Sequence, residues 1–156
     1  MKTILIQVGK TQNSHFAASI NDYVSRVCHY MPFELKTIPE VKNTRHLSEA
    51  QQKAKEGQAI LKECFPGDTV VLLDEHGKEY RSIELASWLQ KKQNTTRRLL
   101  FVIGGPYGFS QEVYQRANEM LSLSKLTYSH QMVRLVFVEQ IYRACTIIKG
   151  EPYHHE

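Results

Sequence analysis

Cysteine is scarce in this sequence, and what there is lacks pattern. Cys28, Cys64 and Cys145 lie far apart, with no Cys-x-x-Cys spacing. That argues against a zinc ribbon or a disulfide framework, and since each falls in a predicted helix all three read as buried free thiols. Histidine is equally scattered. Only His154 and His155 are adjacent and no His-Glu-x-x-His motif occurs, so no metal site is expected. A Walker lysine motif is missing, and the first strand ends in a lone Gly9 rather than a dinucleotide-binding glycine fingerprint. No apolar run is long enough to span a membrane, so no membrane partner is expected. The opening MKTILIQVGK is short and interrupted by Gln7; it reads as a strand rather than a signal peptide, and a cytoplasmic location is expected. Internal repeats, linkers and low-complexity segments are absent too.

What is present is an ordinary globular composition. The 156 residues are 42% hydrophobic and 23% charged, which fits one domain over 1–156 with a substantial core. A net charge of +4 permits a polyanionic partner without requiring one. Thr3–Val8, Phe33–Ile38, Thr69–Leu73 and Leu99–Ile103 read as strands, with a short fifth near Leu123–Leu126. A helix starting at Asn13 or Ser14 and running to about Tyr30 places Phe16, Ile20, Val24 and Val27 on one face. Ser48, with Gln51 at capping-box spacing, starts a second helix that runs to about Cys64. Ser82 caps a third, to Lys91, with Ile83, Ala86 and either Leu85 or Leu89 toward the sheet. Glu40–Leu47 reads as a mobile polar loop. Strands alternating with helices predict an α/β fold with a parallel sheet.

The stretch from Arg98 to Tyr128 is the most informative. Leu99–Ile103 has no polar alternation, as expected of a strand covered on both faces. Gly104-Gly105-Pro106-Tyr107-Gly108 follows at its C-terminal end, where open α/β sheets bind ligands. Ser110 is placed to cap a short helix, with Gln111 and Glu112 in its first turn. Leu121–Tyr128 then alternates small hydrogen-bonding residues with leucines, which suits a loop clamping a flat ring. The same residues also read as a tight turn and an edge strand.

The last helix, Gln131–Lys149, stops at Gly150 with Pro152 beyond. Its apolar residues point in nearly every direction, so it must be covered on two sides. Either a second subunit covers it, or it is the central helix of a monomer. Glu139 and Arg143 are spaced to pair on one face.

IGGPYG, LSLSKLT, VRLVFVEQIYRA and the terminal PYHHE, together with MPFEL and LLDEHGK earlier, resemble the small SPOUT methyltransferases of the RlmH family in order and spacing. The resemblance covers the whole chain. It implies an α/β-knot fold, a parallel sheet flanked by helices with a C-terminal trefoil knot. It also implies a homodimer that transfers a methyl group from S-adenosyl-L-methionine to N3 of a pseudouridine in 23S rRNA of the ribosome. The alternative is a non-catalytic, ribosome-associated RNA-binding protein of the same fold. Cofactor-binding residues would be Leu73, Gly105, Leu123, Ser124, Lys125, Leu126, Thr127 and Tyr128. Tyr153 and His154 would contact the base, and Arg143 would contact phosphate or position the tail; these three are the catalytic candidates. The family pattern has arginine at His155, glutamate at Tyr107, and proline at Ser129 and Gln131.

Basic residues sort by position. Lys10, Lys42, Arg45, Lys78 and Arg81 follow the first three strands, on the ligand side, and are candidates for phosphate contact. Lys91, Lys92, Arg97 and Arg98 precede the fourth strand and are expected on a solvated face at the opposite edge. Glu151–Glu156 is rich in proton-handling and stacking groups, although terminal residues are commonly frayed.

Overall fold

A computed structural model describes every residue from Met1 to Glu156. Five strands form one wholly parallel sheet in the order β2-β1-β4-β3-β5: β1 (Lys2–Val8), β2 (Phe33–Ile38), β3 (Thr69–Glu79), β4 (Arg98–Ile103) and β5 (Glu119–Ser122). The central strand is β4, and Leu99–Val102 have no exposed surface. Its unbroken apolar run is explained by cover on both sides. On one face Leu5, Leu99 and Phe101 pack beneath α1 (Ser14–Cys28), α3 (Ser82–Thr95) and α5 (Met132–Lys149). On the other, Ile6, Leu100 and Val102 meet Ile60 of α2 (Glu49–Leu61) and Val113 of α4 (Gln111–Arg116).

Local chemistry sets the helix boundaries. Asn13 Oδ1 accepts from the His15 and Phe16 amides to start α1, and Ser48 and Gln51 form the expected capping box. Ser110 Oγ accepts from Val113 N–H at the head of α4. Gly150, at φ 71°, ends α5, where Glu151 N–H returns to Thr146 O.

Several expectations are corrected. The fifth strand is Glu119–Ser122, not Leu123–Leu126. Asn118 brings the chain onto the sheet edge early, exchanging hydrogen bonds with Val70 through its side chain and backbone. The Ser124 hydroxyl then accepts from Leu126 N–H, a local bond that competes with strand pairing. Strand β3 does not end at Leu73. It bulges, so that Leu121 pairs with both Leu73 and Lys78, and it continues to Glu79. Gly77 permits this, because a Cβ there would lie 2.6 Å from the β5 backbone. Arg81, not Ser82, is the cap position of α3, and Ile83 is exposed while Leu85, Ala86 and Leu89 are buried. Glu40–Leu47 contains a 3₁₀ turn, Thr44–His46.

The thiols also differ from one another. Cys28 is exposed, Cys64 lies partly buried just past α2, and only Cys145 is fully enclosed, where burial pushes its thiol up to about 12. Of the supposed solvated basic cluster, Lys92 pairs with Glu119 and lies against Trp88. Arg98 binds Asp68 at 3.2 Å. Both therefore belong to the architecture.

Candidate functional site

The bulge of β3 and the C-terminal end of β4 open onto a cleft of about 460 Å³, within the size range that encloses a nucleoside-sized ligand. Leu73, Ile103, Leu121, Leu123, Leu126 and Val133 give it apolar walls. The glycine turn closes one side, held by a bridge between Gly105 and Gly108, and Gly108 takes a φ of 79° that few other residues adopt. Residues 123–130 form the other side without helix or strand structure. Of the cofactor candidates, Leu73, Gly105, Leu123, Ser124, Leu126, Thr127 and Tyr128 line the cleft. Lys125 does not. It turns out toward Glu79, 3.8 Å away.

The polar rim was not foreseen. Asp74 accepts from the Tyr114 hydroxyl and from His76 N–H at 2.8 Å, and its Oδ1 lies 2.9 Å from His76 Nδ1. Burial alone would raise the Asp74 pKa, but these bonds hold it below the usual carboxylate range. Burial and the bond to Asp74 push the Tyr114 phenol up to about 12. Tyr107, Tyr114 and Leu126 stand exposed around the mouth. Asp74, the residue just after the predicted strand Thr69–Leu73, was a signal for this group; the contribution of Tyr114 from α4 was not.

Beneath the glycine turn lies Glu56 of α2, 5% exposed. A Cβ on Gly105 would come within 2.4 Å of Glu56 Oε1. A valine at Gly105 would therefore displace this carboxylate. Burial raises the Glu56 pKa, opposed by bonds from Gln52 and the Gly105 amide. A carboxyl whose pKa rises on folding contributes fully below the ordinary carboxylate range, and that share is lost as pH rises through the folded value. Glu56→Gln is expected to raise the melting temperature by about 2–4 °C at pH 8 and to match the wild type near pH 4. Calorimetry at the two pH values checks it.

The catalytic candidates gather elsewhere, toward the C-terminal end of α5. Arg143 Nη2 binds Glu139 Oε1 at 2.6 Å, and Nη1 lies 3.1 Å from His154 Nδ1. The Tyr153 hydroxyl donates to Glu139 at 2.9 Å, and its ring meets Tyr142 edge-on at 4.7 Å. The terminal segment is therefore packed against α5, not frayed. None of these residues lines the cleft. Val133, which does, sits ten residues before Arg143 on the same helix, about 15 Å along the axis.

A parallel α/β sheet with a cofactor-sized cleft at its edge, walled by a glycine turn and an irregular loop, is the architecture of an α/β ligand-binding domain. The family model described as predicted SPOUT methyltransferase matches residues 1–154, and this chain belongs to that family. The chain is 60% identical to the ribosomal RNA large subunit methyltransferases H of Bacteroides fragilis and Bacteroides thetaiotaomicron, and 52% identical to that of Porphyromonas gingivalis. Each match covers 100% of both chains. Among solved structures, a probable methylase family protein from Haemophilus influenzae Rd KW20 matches with a TM-score of 0.53 at 12% identity, over 99% of this chain and 70% of that one. That likeness concerns the fold. The α/β-knot class inferred from the sequence agrees with the family and with the parallel sheet.

Proposed function

We propose that this methyltransferase acts on 23S rRNA, moving a methyl group from S-adenosyl-L-methionine to N3 of a pseudouridine, as a homodimer whose terminal segment completes the partner's cleft. The observation that carries this reading is the separation of the two halves of the site along α5. A tail fixed against the far end of the helix serves a cleft at its near end if two copies lie antiparallel. The outward stripe of α5 suits such packing: Met132, Val136, Gln140, Arg143 and Ile147 share one side at helical spacing, and all are partly exposed. Val136 and Gln140 also line a smaller hollow of about 180 Å³ beside the cleft.

The residues fit the cofactor. Leu73, Leu123 and Leu126 offer apolar surface to an adenine, while the Thr127 and Tyr128 backbone runs outside any helix or strand and can serve its edge. Bound there, S-adenosyl-L-methionine would supply an electrophilic methyl group. The protein's part is to hold the base in line and to stabilise charge as N3 gives up its proton to solvent. A guanidinium only donates, so the Arg143 contact makes His154 Nδ1 an acceptor and puts the imidazole proton on Nε2. Nε2 has no hydrogen-bond partner, and Glu156 Oε1 at 3.8 Å is beyond reach. Nε2 is enclosed in the free chain, so this spare N–H meets a carbonyl oxygen beside N3, where negative charge develops, only once substrate binding shifts the terminal segment. Burial, with bonds to Tyr23 and Glu139, raises the Tyr153 phenol well above its ordinary range, so Tyr153 acts as a neutral ring and donor rather than a base. Lys10, Lys42 and Arg45 are exposed on the same end of the sheet as the cleft and would meet RNA phosphates.

Thermal shift tests the cofactor. S-adenosyl-L-methionine at about 100 times its Kd should stabilise the native state by about 2.7 kcal/mol, while ATP and GTP at equal concentration leave the melting temperature unchanged. Equal shifts from all three would point to a general nucleotide pocket.

A further inference from the structure

We propose that Gln131 and Arg134 are positioning residues that fasten the exit of the cleft loop, Leu123–His130, to the β1–α1 loop and so set that loop for cofactor binding; this rests on reading the cleft as the cofactor site. Gln131 Oε1 accepts two backbone N–H groups, from Gln12 and Asn13, each at 3.0 Å. Asn13 is itself the cap of α1. The amide of Gln131 is thus fixed to the start of another helix, more than a hundred residues away in sequence. One turn further on, Arg134 is 2% exposed. Its Nη1 donates to Gly9 O and Thr11 Oγ1, both at 3.0 Å, and its Nη2 to Val8 O at 2.8 Å. These bonds take up the carbonyls where β1 ends.

The bonds bracket the cleft. Ser129 Oγ accepts from Met132 N–H and Ser129 O from Val133 N–H, each at 3.0 Å, which fixes the turn into α5. His130, between Ser129 and Gln131, lines the cleft, as does Val133 just beyond. At the other end Leu121 and Ser122 are held in β5. Between these anchors the loop is lightly tied: Ser122 Oγ donates to Ser124 O, and Leu126 N–H to Ser124 Oγ. Its shape therefore depends on where its ends are fixed. A buried guanidinium whose Nε has no partner is an expensive way to seat a helix that an apolar side chain would seat as well. What the fork supplies beyond stability is a defined distance between α5 and the β1–α1 loop.

The test uses Gln131, which is partly exposed and replaceable without opening the core. Gln131→Leu removes the acceptor, whereas Gln131→Glu keeps it and sets a negative charge at the head of α1. Expected for Gln131→Leu is an S-adenosyl-L-methionine Kd and KM raised about tenfold, because the released loop must be ordered when the cofactor binds, while the freed Gln12 and Asn13 amides, being exposed, turn to water. The kcat should stay within about twofold and the melting temperature of the free protein within about 2 °C. Amide exchange should quicken at Gln12, Asn13 and across 123–130, with the sheet unchanged. Gln131→Glu should restore wild-type values. A Gln131→Glu protein as weak as Gln131→Leu, or a fall in affinity that merely tracks a fall in melting temperature, would overturn the proposal. If the wild type takes up no S-adenosyl-L-methionine, the reading of the cleft fails. The exchange measurement still judges the clamp, since faster exchange confined to Gln12 and Asn13 would show that it does not reach the loop.

Discussion

His154→Ala is expected to lower methyl transfer to ribosomes by about two orders of magnitude, with cofactor affinity and sedimentation behaviour unchanged. The reason is the proton placement imposed by Arg143. With Nδ1 committed as an acceptor 3.1 Å from the guanidinium, the unpartnered Nε2–H, enclosed until the terminal segment shifts, is the donor left for the substrate. Alanine removes it without disturbing the Arg143–Glu139 pair. Arg143→Ala should lose as much, because it frees the tautomer and leaves Glu139 with the Tyr153 hydroxyl alone among charged or hydroxyl partners. His155→Ala should matter less, since the exposed His155 makes none of these contacts. Removing Tyr153–Glu156 altogether would disturb the fold as well as the site. Tyr153 packs on Tyr142 and lies beneath Arg143, so truncation should lower the melting temperature by several degrees as well as abolish turnover. Turnover and melting curves of the single variants separate the two effects. A fully active His154→Ala enzyme would assign the donor role elsewhere.

The second large effect concerns α5. Val138→Asp or Phe137→Asp should give insoluble or unfolded protein, because both side chains have no exposed surface and face the chain's own sheet. A carboxylate there has no partner, at a cost of about 4 kcal/mol or more. These are core positions and not, as the all-round apolar pattern allowed, candidates for the outward face. Val136→Asp and Ile147→Asp lie on the outward stripe and should leave folded monomers with little activity. Sedimentation and circular dichroism distinguish the outcomes. A wild-type protein that sediments as a monomer at micromolar concentration would remove the case for a site shared between subunits.

Much of this architecture is legible in the sequence, for identifiable reasons. The continuous Leu-Leu-Phe-Val-Ile run marks the central strand because only a strand covered on both faces has no polar alternation. Ser48, Ser110 and Gly150 mark helix ends through their own hydrogen bonds or backbone freedom. The fifth strand was misplaced because the Leu121-Ser122-Leu123-Ser124 alternation runs on past the last paired residue, Ser122. The residues that actually pair were fixed by Asn118, a contact across the fold that no local pattern announces. Glu56 and Arg134 were missed for the same reason. On their helices they look like ordinary charged residues, and only the tertiary arrangement buries one under the glycine turn and sends the other to the end of β1. Arg143, Tyr153 and His154 were legible as a set, but their distance from the cleft along α5 was not.

The central claim is the reaction itself. Purified protein and S-adenosyl-L-methionine would be incubated with ribosomes from a strain lacking the gene, and the 23S rRNA digested and analysed by mass spectrometry. The account predicts one new methyl group, on N3 of a pseudouridine, dependent on His154. No transfer from a protein that binds the cofactor, or a methyl group on any other nucleoside or atom, would contradict it.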